Sequence, residues 1–247
     1  MKNHQDLLRL LKDLRVYDLS PTFETNMPGW PYHPPMLIVP DAHTFELQGD
    51  LVRVLLLPEH AGSHVDAPAH AISSMRDATI DRYKPDYLIG QYKKYDLTRF
   101  DLKAGDFVTL EMITKIEDTE RFAVEADDII LLNFGWDKYY HPESSNATER
   151  AWWGANEPGL SEEVCKYFAD SKIRAIGADT SACEIAEVGG VVKSEFGHMK
   201  YFLPNHILII EGLQNLSAPP STGIFIALPL KIKGGSGSPI RPIAISS

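Results

Sequence analysis

The stretch from residue 127 to residue 179 limits the fold more than any other part of this chain. The run "DDIILLNFGW" is typical of a buried strand that ends in a turn at Gly135. Ser161, followed by Glu163 and Val164, indicates the start of a helix, "LSEEVCKYFADSK", which leads into another strand, "IRAIGAD". This order of strand, loop, helix and strand predicts an α/β fold in which a mixed β-sheet is combined with a few helices.

The remainder of the chain adds one N-terminal helix, near residues 3–14, and more strands. Strands are predicted around residues 16–19, 36–39 and 51–57, and in "NHILIIEGL", "IFIALPLKI" and "PIRPIAI". A hairpin turn, "KGGSGS", is predicted to join the last two. The aromatic segment 139–158 is interpreted as an irregular excursion or lid. No repeat or linker divides the sequence, which predicts a single domain over residues 1–247.

Charge and apolar content argue against two classes of partner. The net charge of -10 and the pI near 5.3 would repel a phosphate backbone, and no cluster of lysine and arginine offsets this. The longest apolar runs are far shorter than the ~20 residues that cross a bilayer. The N-terminal stretch lacks the cleavage site of a signal peptide. We therefore predict a cytoplasmic protein with reduced cysteines and with no nucleic-acid or membrane partner.

The segment "PEHAGSHVDAPAHA", residues 58–71, holds three of the nine histidines of the chain and one aspartate. His60, His64, Asp66 and His70 all have even numbers, and alternate residues of an extended segment point to the same side. A glycine and a proline between them provide places where the backbone can turn. We therefore expect the four side chains to converge.

Two imidazoles and one carboxylate suit a divalent ion such as Zn²⁺ or Mn²⁺. Where one coordination position stays open to water, such an ion lowers the pKa of that water from about 15.7 toward about 7, so the site becomes catalytic. Two alternatives stay open on these residues alone. The segment is a surface loop with solvated histidines, or it holds a structural ion in a protein without catalytic activity.

The core of this segment, "HAGSHVDAPAH", resembles the HxG(T/S)HxDxPxH signature of the cyclase family of metal-dependent hydrolases, whose members include kynurenine formamidases and isatin hydrolases. Ser63 stands where threonine is commoner. The resemblance extends to "YDLSPTF" near the start and to "HILIIEGLQNL" and "LPLKIKGGSGSPIRPIAI" near the end. It implies a swivelling β/β/α fold.

The resemblance also implies roles for the four residues of the motif. His60 and His64 would bind the first metal ion, and Asp66 would bind it or bridge to a second one. His70 would be the acid/base group that moves a proton.

Three residues outside the motif complete the implied site. Glu211, in "IIEGL", matches a late glutamate that contacts both metals when two are present. His198 is the nearest candidate for the second-metal histidine, although its spacing from Glu211 is slightly longer than in the formamidases. Trp30 lies about as far before the motif as the tryptophan that stacks on substrate in kynurenine formamidases. The alternative for Trp30 is that it packs a proline-rich turn.

By this resemblance, the chain is a metal-dependent amidohydrolase that acts on a small, aromatic amide or lactam, as a kynurenine formamidase does. Ring opening of a cyclic amide, as by an isatin hydrolase, is one alternative, and a metal-dependent cyclase or dehydratase is another. The family also implies a homodimer or higher homo-oligomer, with tryptophans near an interface supplying part of the pocket. Whether one or two ions bind stays open.

Other polar residues are weaker candidates. Asp179 follows an apolar strand, where it is either a pocket residue or the cap of a turn. Ser181 and Cys183 lack the GxSxG context of a nucleophilic serine and have no base partner in the sequence, which argues against a nucleophile at either position.

Overall fold

The computed structural model describes residues 14–144 and 146–246. Within them, nine strands form a mixed sheet, and the others form three short pairs. The strands are β1 (Arg15–Asp18), β2 (Leu37–His43), β3 (Val52–Leu56), β4 (His64–Asp66), β5 (Ile89–Asp96), β6 (Phe107–Val108), β7 (Ile129–Asn133), β8 (Gly159–Leu160), β9 (Ala175–Ala178), β10 (Glu187–Val188), β11 (Val191–Val192), β12 (Leu208–Glu211), β13 (Thr222–Ile226), β14 (Gly237–Pro239) and β15 (Ile243–Ser246). The α-helices of the described residues are α1 (Leu110–Glu120), α2 (Ala147–Trp153) and α3 (Glu162–Asp170).

Four parallel strands form the middle of the large sheet, in the order β5, β7, β9 and β12. Helix α1 lies between β5 and β7 in the chain, and α3 lies between β7 and β9. Both helices therefore belong to crossovers between parallel neighbours, which need an intervening segment of this kind. Antiparallel strands extend the sheet on both sides. The predicted α/β fold with a mixed sheet is confirmed.

Apolar side chains cover both faces of the sheet. All five residues of β7 are buried, as expected for a strand that is covered on both sides. On one face the core includes Ile113 and Ile116 of α1 and Phe168 of α3. Ser161 caps α3, because its side chain accepts a hydrogen bond from the Val164 N–H. The predicted start of this helix is therefore correct.

The C-terminal strands correct one prediction. Strands β13 and β15 are antiparallel neighbours, but "KGGSGS" is not a hairpin turn between them. It leads into β14, which pairs with β4 at the opposite edge of the sheet, and only residues 240–242 separate β14 from β15. The sheet therefore curls, so that three residues link β14, at one edge, to β15, which lies beside the edge strand β1 at the other end. A turn signal in the sequence marks a change of direction, but it does not show which strand follows.

Three further predictions have different outcomes. The helix near residues 3–14 lies outside the described residues. The segment 139–158 contains a helix, α2, and is less irregular than predicted. The single domain over residues 1–247 stays a prediction. No helix in residues 14–144 and 146–246 has both the length and the apolar character needed to cross a bilayer.

Candidate active site

The histidine motif does not converge by strand alternation. Only His64 and Asp66 share an extended strand, β4. His60 lies in the turn before it, and His70 ends a 3₁₀ turn that begins at Pro68. Gly62 has φ +58°, and a Cβ atom there would collide with a neighbouring aromatic ring. The predicted convergence is observed, but the turns produce it.

Register in the sheet brings Glu211 to the motif. Strand β12 pairs antiparallel with β4, and Glu211 lies directly opposite His64. Directly paired residues have adjacent side chains. The His64 Nε2 and Glu211 Oε2 atoms are 3.1 Å apart. Glu211 lies 147 positions after His64 in the chain, and a single strand pairing brings the two side chains together.

Asp66 lies at the centre of the cluster and is only 1% exposed. Its Oδ1 atom is 2.6 Å from His60 Nδ1 and 3.6 Å from His64 Nε2, and its Oδ2 atom is 3.3 Å from His198 Nε2. Burial opposes ionisation of Asp66, but the surrounding histidines outweigh burial and hold the pKa of its carboxyl well below the usual value. This carboxylate therefore carries a negative charge among three imidazoles.

The ring orientation of His64 shows what the cluster can bind. Its Nδ1 lies 2.9 Å from the Gly62 carbonyl oxygen and donates a hydrogen bond to it, so that in the neutral ring the lone pair is on Nε2. Nε2 faces Glu211 and Asp66, yet within residues 14–144 and 146–246 it makes no well-aligned hydrogen bond, and neither does Glu211 Oε1. When the ring is neutral, the Nε2 lone pair faces the oxygen atoms of two carboxylates, and these groups repel one another. A positive charge between them is needed to offset this repulsion. Burial opposes such a charge on His64, but the carboxylates prevail and raise its pKa to about 9.

His198 is oriented by a second carboxylate, Glu184, which is completely buried. The Glu184 Oε1 atom accepts hydrogen bonds from His198 Nδ1 at 2.7 Å and from the His198 backbone N–H at 2.8 Å. The Nε2 atom is then directed at Asp66 and Glu211. Metal-binding histidines in proteins are commonly held in this way, by a carboxylate on the other ring nitrogen. Spacing in the sequence does not indicate Glu184, because the contact arises only in the fold.

His60 is oriented by a residue of the glycine-rich segment. Its Nε2 atom lies 2.9 Å from Ser236 Oγ, and that hydroxyl donates to Glu59 Oε2 at 2.7 Å. Ser236 therefore accepts from His60 Nε2–H, and the opposite ring nitrogen, Nδ1, is directed at Asp66 Oδ1, 2.6 Å away. Because "KGGSGS" was predicted to be only a hairpin turn, the sequence did not indicate this role of Ser236.

Two overlapping groups of side chains have the geometry to hold a divalent ion. In each group the candidate ligand atoms lie within 4.8 Å of one another. The first group is His60, His64 and Asp66, and the second is Asp66, His70 and His198. The donor set and the orphaned buried atoms described above fit a metal ion.

A pocket of about 180 Å³ opens beside the cluster. Its lining consists of Trp30, His33, His70, Ala71, Ser181, Ala182, Ile185, Glu195, His198, Met199 and Glu211. Drug-sized ligand pockets are about 300–1,000 Å³, so this pocket suits a small molecule. The structure therefore places Trp30 and His70 in one pocket with the late residues His198 and Glu211.

His70 differs from the other histidines of the motif because no hydrogen-bond partner fixes its ring in the described residues. Its ring centroid is 4.0 Å from that of His60 and 6.1 Å from that of His33. Burial, together with the neighbouring imidazoles, lowers the pKa of His70 to about 4. At neutral pH the side chain is uncharged and can accept a proton. His33 was not singled out in the sequence, although it lies only three residues after Trp30.

The segment 139–158 supports the pocket from outside. A Cβ atom on Gly154, at the end of α2, would collide with the carbonyl group of Gly29, which precedes Trp30. The two backbones therefore touch, and α2 packs against the loop that carries Trp30. This contact links the aromatic segment to one wall of the pocket.

Two of the weaker candidates have structural roles. Asp179 accepts hydrogen bonds from the backbone N–H groups of Phe134 and Trp136, at 2.9 and 2.7 Å, so it is the cap of a turn and does not line the pocket. Cys183 is buried, and its thiol donates to Glu184. Burial raises the pKa of Cys183 well above the usual value, which makes it a poor nucleophile.

Comparison with known proteins agrees with the site. A curled mixed sheet that carries buried histidines and carboxylates beside a small pocket is an arrangement that suits an enzyme acting on a small molecule. The profile of the family described as putative cyclase matches residues 17–185, and the chain belongs to this family. The predicted membership of the cyclase family and the prediction of a hydrolase are confirmed.

The relatives and solved structures that match this chain include isatin hydrolases and a kynurenine formamidase. The isatin hydrolase of Roseibium aggregatum is 29% identical over 196 residues, which cover 77% of this chain and 73% of that protein. The kynurenine formamidase of Sphingopyxis alaskensis is 25% identical over 234 residues, 93% of this chain and 97% of that protein. The crystal structure of an isatin hydrolase bound to the product analogue thioisatinate has a TM-score of 0.83 and 24% identity, and the match covers 100% of this chain and 99% of that one. The last comparison shows a shared fold.

Proposed function

We propose that this protein is a metal-dependent amidohydrolase that cleaves the amide or lactam bond of a small aromatic molecule. The observation that carries the proposal is the orientation of His64 and His198. Each has its Nδ1 atom held by an acceptor, while its Nε2 atom faces the carboxylates of Asp66 and Glu211. Both rings are thus prepared to bind a cation together with these carboxylates.

The metal would be Zn²⁺ or Mn²⁺, both of which accept imidazole and carboxylate ligands. His60, His64 and Asp66 would hold the first ion. His198 and Glu211, with Asp66 as the bridge, would hold a second ion where one binds. When bound, the ion supplies Lewis acidity and lowers the pKa of a bound water toward about 7.

The residues of the chain supply the other parts of the reaction. Water adds across the C–N bond, so that the carbonyl carbon gains a hydroxyl group and the leaving nitrogen gains a proton. His70, uncharged and free to move a proton, would carry that proton to the nitrogen. Trp30 would stack on the aromatic ring and hold the scissile bond near the cluster. The small pocket would exclude bulk water.

Charge in the pocket favours the cyclic alternative, the ring opening of a neutral lactam. Among the described residues that line the pocket, none is lysine or arginine, whereas Glu195 and Glu211 are acidic. A substrate with its own carboxylate, such as N-formylkynurenine, would find no lysine or arginine side chain there to pair with it. Isatin carries no charge, and the Roseibium aggregatum relative is an isatin hydrolase.

A substrate panel tests the proposed function. Protein loaded with Zn²⁺ or Mn²⁺ is expected to hydrolyse at least one of isatin, N-formylkynurenine and formanilide. Isatin would give one ring-opened product heavier by one water molecule, whereas each of the two formamides would give formate and an aromatic amine. Chelation of the metal is expected to remove this activity, and metal addition to restore it. A product formed by loss of water would support the cyclase or dehydratase alternative. Stoichiometric metal without turnover of any formamide, lactam, imide or lactone would contradict the proposal.

We also propose that the protein is a homo-oligomer, because the β2–β3 ribbon exposes apolar side chains that a single subunit does not cover. Leu47 at its tip is 81% exposed, and Val54, Leu55 and Leu56 of β3 are each more than half exposed. An isolated two-stranded ribbon is marginally stable, and apolar patches of this kind are typical of interfaces. Sedimentation is expected to show a dimer or larger species, and Leu55→Glu to shift it toward the monomer. A monomeric wild-type protein at micromolar concentration would refute this.

A further inference from the structure

The wall of the pocket contains a buried hydroxyl group that the mechanism above does not use. Ser181 lies in the loop after β9 and is 4% exposed. It lines the same pocket as His70 and Glu211. In the sequence this serine was a candidate only for a nucleophile, and among the described residues no histidine hydrogen-bonds to its Oγ atom.

The partners of Ser181 Oγ are both acceptors. The first is Glu157 Oε2 at 2.8 Å, and the second is the Gly154 carbonyl oxygen at 3.4 Å. The same Glu157 Oε2 atom also accepts from the backbone N–H groups of Ser181 at 2.7 Å and of Ala182 at 3.3 Å. An oxygen that receives two backbone N–H groups is an acceptor, so the Ser181 hydroxyl donates its proton to it.

Glu157 is held rigidly in this role. It is completely buried, and its backbone exchanges two hydrogen bonds of 3.0 Å with Glu187. Burial raises the pKa of Glu157 well above the usual value. Its other oxygen, Oε1, has no hydrogen-bond partner in the described part of the chain and is the place for a proton, so Oε2 stays an acceptor in either state. The direction of the Ser181 hydroxyl is therefore set by the fold.

A hydroxyl group has one proton to donate and two lone pairs that accept. The proton of Ser181 is committed to Glu157, and no donor among the described residues reaches its lone pairs. Ser181 lines the pocket, and among the described residues its Oγ atom has no donor partner, so it is a free acceptor in the pocket wall. The group that satisfies it must be a donor, and an amide or lactam substrate carries one such donor on the scissile bond, its N–H.

We propose that Ser181 Oγ accepts a hydrogen bond from the N–H of the scissile amide, so that the enzyme selects substrates with an N–H over N-alkylated amides and over esters. This rests on the proposed amide hydrolysis and adds its substrate class. A substrate without the N–H leaves a buried acceptor unpaired. Sites that hydrogen-bond a substrate N–H or O–H reject analogues that lack it by up to about 10⁴ to 10⁵-fold. For one neutral hydrogen bond in a pocket that is open on one side, we expect at least about 30-fold.

The test compares matched substrates with the metal-loaded wild-type protein. Isatin is paired with N-methylisatin and with benzofuran-2,3-dione, in which an oxygen atom replaces the N–H without adding bulk. Each kcat/KM is divided by the rate of hydrolysis of the same compound by hydroxide, which removes differences in intrinsic reactivity. The corrected value for isatin is expected to exceed both others by at least about 30-fold. Corrected values within about 3-fold of one another would overturn the proposal.

Variants assign the selectivity to the serine. Ser181→Ala is expected to lower kcat/KM for isatin and to reduce the corrected ratio of isatin to benzofuran-2,3-dione to near one. The matched control Ser171→Ala removes a hydroxyl that donates to a backbone carbonyl at the end of α3, and it should leave the ratio unchanged. A Ser181→Ala protein that keeps the full ratio would contradict the role of Ser181. Should the wild type open isatin and the dione equally well, amide hydrolysis would stand and only this inference would fail, whereas failure to open any substrate would refute both.

Discussion

Replacing Asp66 with asparagine is expected to remove both metal binding and hydrolysis while the protein remains folded. Asparagine has nearly the same volume, but it lacks the charge that three histidine rings surround. In the proposed site Asp66 is the only residue shared by both candidate groups of ligands. Loss of a partner outside the ligand set typically costs about 10 to 100-fold in metal affinity, and loss of a shared ligand should cost more.

Metal affinity, measured by competition with a coloured chelator, checks this expectation independently of turnover. Glu184→Gln, which weakens only the support of His198, should fall between Asp66→Asn and the wild type, with a loss of about 10 to 100-fold. The matched control Asp77→Asn, an exposed aspartate nearby in the chain, should bind metal normally. An Asp66→Asn protein with wild-type metal content and activity would show that the cluster is not a metal site.

Replacing His70 with alanine is expected to lower kcat by about 10² to 10⁴-fold without loss of the metal, because removal of a general acid/base has an effect of this size. The ring of His70 is not fixed by a hydrogen bond in the described residues, and its low pKa leaves it uncharged at neutral pH. Both properties suit a group that moves a proton. Added imidazole is expected to restore part of the activity, and the exposed His141 is the matched control as His141→Ala.

The metal content of His70→Ala separates two possible roles. The side chains of His70, Asp66 and His198 also have the geometry of a ligand group. Loss of one equivalent of metal from the variant would make His70 a ligand and would contradict its role as proton carrier. Full activity with the metal retained would show that another group moves the proton.

Much of the central fold could be predicted from local patterns. The buried strand β7, the capped start of α3 and the strand that follows it are each determined by short-range preferences of apolar and capping residues. The C-terminal strands were less predictable. Strand β14 joins the far edge of the sheet because the sheet curls, and no residue between positions 227 and 242 signals which edge it will join.

The candidate site, like the fold, was only partly predictable from the sequence. The motif from His60 to His70 was visible in the sequence, whereas Glu184, Ser236 and Glu157 were not. Each of these three acts through a hydrogen bond to a residue far away or on another element, and a single glutamate or serine in the sequence has no spacing that reveals such a contact. Their signal, a buried polar side chain aimed at a functional histidine or serine, exists only in three dimensions.

By itself the sequence determined the type of fold and the chemical character of the site, because apolar periodicity and the choice of imidazole and carboxylate side chains are local properties of the chain. Only the tertiary structure decided which atoms face one another. Pairing of β4 with β12 sets Glu211 against His64, and turns rather than strand alternation bring in His60 and His70. Acceptors fix the direction of the His64 and His198 rings and of the Ser181 hydroxyl. Strand register decides which residues lie opposite one another. Burial makes an unpaired polar atom costly, so a buried polar group takes the orientation in which it is paired.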